Sequence, residues 1–492
     1  MKNLKEKTIS GVFWSAFTQV FRQSFSFITT IFLVRLLSPE AFGLIGMVTV
    51  LTGFATIFID VGFGSALIQK KSVSQLELSS VFWFNIAVGA LLTLLFFTVA
   101  PLVANFYEQP LLLPLTRILS LSFLLGSFGT VQKTILAKDI NFKAPFKIQA
   151  YVQPIAAIVT LAMAYYGWGV WALVVQVILS TALTSLALWL SSTWRPSMAF
   201  RWSALQSMFG FSLNLLGNDT LNYWVRNVDN LLVGRYLGTA ELGIYSKSYS
   251  ILTLPLRNIS RVVSKVLFPS LAQVQDQKEK VKAIYLKIIR TISLISFPLM
   301  MGLLVVSDRF VPLVYGEQWV SMIPLVQVFC VLGMFQSIGH AISNLYLSQG
   351  RSDLMFRVGT VLRVFLIMAI VVGLRWGILG VAISYTAMSI VASFVDHYYA
   401  GKLVGLSVRE IFRYLSGVFF ASLFMGLVVK GCAYLLLPYM SDMTVLVLQT
   451  VVGAGVYGLI LYVCRVEALT EVIQLYQERR QKKQARKMKV VV

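Results

Sequence analysis

The chain has 492 residues, 57% of them hydrophobic and 13% charged, with a mean hydropathy of +0.77, whereas a soluble domain is about 25% charged. That balance excludes a water-soluble enzyme, and two histidines with three cysteines are too few for a metal cluster or a disulfide framework. Against the apolar background stand 42 Lys and Arg but only 20 Asp and Glu, a net charge of +22.

A spanning helix needs about 20 apolar residues at 1.5 Å rise each. Fourteen runs qualify, at 10–34, 41–66, 79–104, 112–136, 144–166, 168–191, 207–234, 239–266, 284–306, 319–347, 354–374, 376–398, 410–436 and 442–463. The spacing predicts an all-α integral membrane protein of about 14 transmembrane helices. The basic start MKNLKEKTIS is followed by a run too long for a signal peptide, with Arg22 inside it, so a retained first helix is expected. With the N-terminus in the cytoplasm, inner segments hold 29 of the 42 basic residues and outer loops four, Arg35, Arg235, Arg309 and Arg375. The positive-inside rule then places both termini in the cytoplasm. Eight of the 29 lie in the tail 464–492, where Leu469, Val472, Ile473 and Tyr476 form an apolar face suited to anionic lipid.

The chain repeats internally. Arg35-Leu-Leu-Ser-Pro-Glu-Ala-Phe-Gly-Leu recurs at an offset of 200 as Arg235-Tyr-Leu-Gly-Thr-Ala-Glu-Leu-Gly-Ile, and Trp168-Gly-Val-Trp-Ala at an offset of 208 as Trp376-Gly-Ile-Leu-Gly. Two matches in order imply a duplicated six-helix unit, and six helices return the chain to the same side, so the repeat is parallel. The expected organisation is an N-terminal bundle over 1–191, a cytoplasmic linker over 192–206, a second bundle over 207–399, two further helices over 400–463 and the basic tail over 464–492. Transporters of this kind hold substrate between the repeats.

Nine basic residues remain inside spans, where a charge costs about 2.5–3.5 kcal/mol on insertion scales and belongs beside water or a partner. In the first span Ser15, Gln19, Arg22, Ser26 and Thr29 are spaced to share one helical face. The seventh carries Asn218, Asp219, Asn222, Arg226, Asp229 and Asn230, and shifted by 200 its polar positions overlie those of the first. The alternative is polar packing between helices, but an unshared arginine serves an anion better. The eighth span adds Arg257, Arg261 and Lys265 one turn apart after Pro255, which is expected to kink or open the helix; snorkelling to inner headgroups is the plain alternative for Arg261 and Lys265. Arg117 and Arg363 are further interior cations, open between cavity lining and snorkelling. Asp60 is placed within reach of Arg22 on the neighbouring helix, as a charge clamp or an ion-coupling switch. Asp229 is open to a local pair with Arg226. Gln336, His340 and Asn344 form one more polar face, packing or coupling.

The segment NYWVRNVDNLLVGRYLGTAELGIYSKSYSILTLPLRNI followed by VLFPSLAQVQ resembles the polysaccharide-transporter branch of the multidrug/oligosaccharidyl-lipid/polysaccharide exporter superfamily, and within it the Wzx-type, colanic-acid-exporter subfamily. LVRLLSPEAFGL, IDVGFGSALIQ, ILAKDINFKAPFK and YGWGVWALVVQ extend the resemblance over residues 10–400. It implies two six-helix bundles in a V around a central, often cationic, cavity, with two additional C-terminal helices. It also implies a flippase that carries an oligosaccharide repeat unit on a polyprenyl diphosphate from the inner to the outer leaflet of the cytoplasmic membrane, for exopolysaccharide or lipopolysaccharide synthesis. A polysaccharide polymerase and a chain-length protein are the partners it suggests; nucleic acid is not. One departure is Asn141, where relatives often carry a basic residue, with Lys138, Lys143 and Lys147 left as the cytoplasmic cations nearby.

The expectation is therefore alternating access without bond cleavage, with Arg22, Arg226 and Arg257 holding the negative charge. No G-x-x-x-x-G-K-[ST] loop is present for ATP, so no cofactor is expected and coupling would be to an H+ or Na+ gradient or to membrane potential. A multidrug exporter of the same superfamily is the first competitor, disfavoured because the interior arginines Arg22, Arg117, Arg226, Arg257 and Arg363 outnumber the interior acids Asp60, Asp219 and Asp229. A membrane glycosyltransferase or ligase is the second. It would need a catalytic acid or base in a sizeable outer loop, and the largest, near 307–318, offers Asp308 and Glu317.

Overall fold

The computed structural model describes residues 2–60, 62–436 and 440–463, without the side chains of 2–9, 12, 16, 207, 211–215, 218, 221, 225, 254, 257–266 and 436. The tail 464–492, with its expected lipid-facing surface, lies outside them. The described chain is helical throughout, with no strand: α1 (Lys2–Leu36), α2 (Pro39–Asp60), α3 (Phe63–Gln69), α4 (Gln75–Tyr107), α5 (Leu112–Ser127), α6 (Thr130–Lys138), α7 (Lys143–Tyr165), α8 (Val170–Ser191), α9 (Trp202–Leu237), α10 (Thr239–Ala272), α11 (Lys278–Tyr315), α12 (Ile323–Gly339), α13 (Ile342–Ser348), α14 (Ser352–Gly373), α15 (Gly377–Lys402), α16 (Val408–Leu436) and α17 (Asp442–Val463).

Each of the fourteen apolar runs corresponds to one helix or one broken helix. Among the described residues nine segments are long and apolar enough to cross a membrane, or ten with α5 and α6, which bend by 41° at their break, taken as one span. The segment 352–402 holds two helices, and α1, α9 and α10 fall short because they carry the polar stripes. Among the described residues three spans are divided into two helices, at α2/α3, α5/α6 and α12/α13; the last two occupy equivalent places in the two repeats. The segment 307–318, expected as an outer loop, is not open chain. α11 continues to Tyr315, Gly316 turns at φ 100°, and a 3-10 turn over Glu317–Met322 buries Trp319. At 38 residues α11 is about 57 Å long, well beyond a bilayer core.

The chain forms two compact units, 1–243 and 244–492. In the first, α4 packs on α5, α7 on α1 and α8, and α2 on α4, α5, α8 and α9; α9 also packs on α3 and α4. This unit takes in α9, the first helix of the second sequence repeat. Its start is sealed by an apolar cluster around Phe63, Phe82, Leu205 and Met208. The linker before α9 is strapped to the first turns of α4: Trp194 Nε1 donates to Gln75 Oε1 at 2.6 Å, Trp83 Nε1 to the Ser197 carbonyl at 2.9 Å and the Arg201 amide to Ser80 Oγ at 3.0 Å. A capping box between Ser74 and Glu77 starts α4.

In the second unit α11 packs on α12, α16 and α17, α12 on α15, and α14 on α15. The last two helices are tied to α11 by Lys282 with Glu410 at 2.8 Å, Arg309 with Asp442 at 3.5 Å, and Tyr457, whose hydroxyl donates to the Leu294 carbonyl at 2.9 Å.

Candidate substrate surface and charged sites

Three aromatic contacts orient α1. Trp14, Phe17 and Phe21 surround Phe146 of α7 at ring distances of 5.2, 5.0 and 5.7 Å. With these residues one and two turns apart on one face, the polar stripe turns away from α7. Ser15, Arg22 and Ser26 are exposed, Gln19 half-buried, and Arg22 Nη2 donates to Gln19 Oε1 at 3.4 Å. Thr29 leaves the stripe: it is buried and bonds the Phe25 carbonyl of its own helix.

The α9 stripe is set by contacts of the residues beside it. Tyr223 donates its hydroxyl to the Thr49 and Val50 carbonyls of α2 at 3.2 and 2.8 Å, and Trp224 packs on Phe54 at 5.0 Å. That leaves Asp219 and Arg226 exposed, with Asn222 half-buried between them. Asp229 is buried, its carboxylate accepting the Asn230 amide at 2.8 Å. Arg226 makes no ion pair with it, so the local pair open in the sequence does not form. Both stripes expose an arginine in mid-span, where lipid contact would be costly and water or an anion would not.

On α10 the side chains of Arg257, Arg261 and Lys265 lie outside the described residues. The helix itself runs unbroken through Pro255 and Pro269, so Pro255 does not open it.

Several candidates separate from these stripes. Asp60 does not meet Arg22: its carboxylate accepts the Gly64 amide at 3.0 Å, and its charged and polar neighbours are Lys133 and Asn85. The break after Asp60, with Gly62 at φ 82°, turns that end of the span toward α4 and α6. Arg117 donates to the Phe97 carbonyl at 3.4 Å and lies over the Phe97 ring at 4.6 Å, a packing arrangement against α4. Arg363 is half-buried on α14 and is the cation acting on Asp396 of α15. The expected Gln336–His340–Asn344 face is broken: His340 is exposed at the end of α12, Asn344 is buried on α13, and Gln336 Nε2 donates to the Tyr249 hydroxyl at 3.3 Å.

Sequence reasoning missed three groups. Lys138 ends α6 by donating to the Leu67 carbonyl at 2.6 Å and to the Lys70 carbonyl, closing the C-terminus of α3. It is a helix cap, not a free cytoplasmic cation, and the neighbouring Asn141 accepts the Ala144 amide in the first turn of α7 at 3.3 Å. Asn85 is wholly buried beside Asp60, with its amide oxygen unbonded. Asp396 sits among the tyrosines of α11 and α13: Tyr346 donates to its carbonyl at 3.2 Å, and Tyr285 is fully buried beside it. A lone Asn or Asp in an apolar run was the available signal for the last two.

A family model described as "Polysaccharide biosynthesis protein" matches residues 32–324. The lipopolysaccharide biosynthesis protein WzxC of Escherichia coli (strain K12) is 29% identical over 444 residues, covering 87% of this chain and 89% of that protein. The teichuronic acid biosynthesis protein TuaB of Bacillus subtilis (strain 168) is 29% identical over 384 residues, 77% of this chain and 79% of that one. Among solved structures, the lipid II flippase MurJ in an inward closed conformation superposes with a TM-score of 0.74 at 16% identity, over 93% of this chain and all of that one. An inward-facing multidrug resistance MATE transporter gives 0.62 at 15% identity, over 78% and 94%. At such identity these two show the fold alone: an all-α, multi-pass membrane transporter fold.

Proposed function

The chain belongs to the polysaccharide biosynthesis protein family, and we propose that its task there is to flip a lipid-linked oligosaccharide, a glycan repeat unit on a polyprenyl diphosphate, across the cytoplasmic membrane. The observation that carries this reading is the pair of exposed arginines, Arg22 and Arg226, on polar stripes of two otherwise apolar spans. A diphosphate is a compact double anion, and arginine binds it through parallel N–H groups at fixed geometry. Gln19, Asn222 and the serines of α1 supply neutral donors and acceptors suited to sugar hydroxyls. The polyprenyl chain needs no protein pocket, since the hydrocarbon of the bilayer solvates it.

The work is translocation by alternating access, a secondary-type transport in which no covalent bond changes. Driving force would come from an H+ or Na+ gradient or from membrane potential, with the termini and the basic tail on the cytoplasmic side. A polymerase and a chain-length protein that take the flipped unit are the expected partners. A multidrug role is not favoured by the exposed charges, because cationic drugs would meet Arg22 and Arg226 first.

The test is leaflet-resolved detection of the lipid-linked oligosaccharide in cells lacking this gene and complemented with wild-type protein or with Arg22→Ala, Arg226→Ala or both. Wild type should clear the inner leaflet and the double variant should leave the unit there at normal protein level. Normal clearance by the double variant would remove the cationic stripes from the mechanism. Outer-leaflet material that is never polymerised would instead point to a transferase.

A further inference from the structure

The interruption between α2 and α3 gathers oxygen atoms that the flipping reaction does not use. Asp60 ends α2, and one of its carboxylate oxygens is taken by the Gly64 amide. The other lies against the Gly64 backbone together with the Thr134 hydroxyl of α6: a methyl group built on Gly64 would stand 2.7 Å from Asp60 Oδ2 and 2.9 Å from Thr134 Oγ1. Thr134 gives its own proton to the Thr130 carbonyl at 3.0 Å, which leaves its lone pairs to accept or coordinate. From α4 the fully buried Asn85 turns its amide N–H toward the same carboxylate, and its amide oxygen has no hydrogen-bond partner. Buried polar atoms without partners are rare and call for an explanation, of which a bound ion is one.

We propose that Asp60, Asn85 and Thr134 form a binding site for a monovalent alkali cation, Na+. The donor set is a carboxylate, an amide carbonyl and a hydroxyl, all oxygen, which is the chemistry of hard cations. The site stands at the C-terminal, negative end of the 22-residue α2. One carboxylate balances one positive charge. Lys133, exposed and acting on Asp60, opposes a divalent ion twice as strongly as a monovalent one.

The position gives the ion a use that rests on the transport reading above. The site joins the α2/α3 helix boundary to the bent α5/α6 span, and Lys138 at the end of α6 already holds the end of α3. Filling it fixes both breaks together; emptying it frees them to bend, which is what coupling a gradient to a conformational cycle needs.

The experiment uses purified full-length protein in detergent, with no lipid-linked sugar, so that it reads the site separately from flipping. Radioactive sodium should bind saturably, and replacing choline chloride by NaCl at constant ionic strength should raise Tm. Asp60→Asn and Asn85→Leu should each weaken Na+ affinity about tenfold or more. Gly64→Ala should do so by filling the cradle, and Lys133→Gln should tighten binding about twofold by removing an opposing charge. Should Asp60→Asn fail to fold, Thr134→Ala serves in its place. Absence of saturable Na+ binding by the wild type, or unchanged affinity in both Gly64→Ala and the Asp60 or Thr134 variant, overturns the site. A rise in Tm at low pH with none on adding Na+ also overturns it, giving Asp60 a proton instead. Loss of Na+ binding in a variant that still flips would detach the site from transport while leaving the flippase reading intact.

Discussion

Gly43 of α2 is packed directly against the carbonyl oxygen of Thr239, and Gly243 of α10 against that of Pro39. The four positions are two pairs offset by 200, the same offset as the sequence match around Arg35 and Arg235. The repeat-related segments therefore cross reciprocally, each glycine admitting the first turn of the other helix. No side chain fits at either point.

The first prediction concerns this crossing. An ordinary Gly→Ala change inside a helix gains about 0.8–1.0 kcal/mol of propensity. At Gly43 and Gly243 the added carbon would overlap a backbone oxygen that cannot rotate away, so overpacking should dominate and cost about 1–3 kcal/mol or more. Thermal unfolding of the purified protein should show a lower Tm for Gly43→Ala and Gly243→Ala. The control is Gly302→Ala, whose nearest neighbour would be the Met425 side chain at 3.9 Å; it should be neutral or stabilising.

Removing Arg22 or Arg226 should separate function from stability. Both are exposed, and neither makes an ion pair among the described residues, so Ala substitutions should change Tm little. Flipping should fall about tenfold or more, the value of one charge-assisted contact near 1.5–3 kcal/mol. Arg117→Ala offers the contrast: its guanidinium is engaged with Phe97, and it should affect Tm more than transport. A profile with Arg117 essential to flipping and Arg22 dispensable would reverse these assignments.

The spans and stripes were readable because each rests on one strong periodic signal: apolar runs of bilayer length, and polar residues every three or four positions. What the sequence did not disclose was where spans break. Gly62 and Gly129 sit in apolar runs that read as continuous helix, yet the break after Asp60 is what carries its carboxylate to Gly64 and away from Arg22. Arg290 shows the same limit for charge counting. Counted among the 29 inner basic residues, it is buried within the extended α11. The crossing was also invisible, since Gly43 and Gly243 acquire meaning only from the carbonyl each one meets.

Lys138 should behave as a structural lysine. Its ammonium closes the C-terminus of α3 through the Leu67 and Lys70 carbonyls, favoured by the negative end of a helix. Lys138→Met should cost about 1.5–3 kcal/mol, as for a hydrogen bond to a charged group. Hydrogen exchange should rise over residues 63–70 and remain unchanged over α7 and α8. Lys143→Met and Lys147→Met, both exposed, should leave exchange in α3 unaffected.

The attachment of α16 gives a final prediction. The Arg290 guanidinium lies over the Tyr414 ring at 3.3 Å, and its Nε donates to the Tyr414 carbonyl at 3.4 Å. In a desolvated setting such a cation–π contact is worth about 2 kcal/mol, so α16 should be held to α11 more by this residue than by the half-exposed Lys282–Glu410 pair. A double-mutant cycle with Arg290→Met and Tyr414→Leu should return a coupling of about 1–2 kcal/mol, within the range for residues in contact. The same cycle on Lys282→Met and Glu410→Gln should return about 0.2–1 kcal/mol and shrink in high salt. Because the ring contact is buried and the ion pair is not, the first coupling should persist in 1 M NaCl, a screening condition with a Debye length of about 3 Å. Equal salt sensitivity of the two couplings would place Arg290 in water and remove it as the anchor of α16.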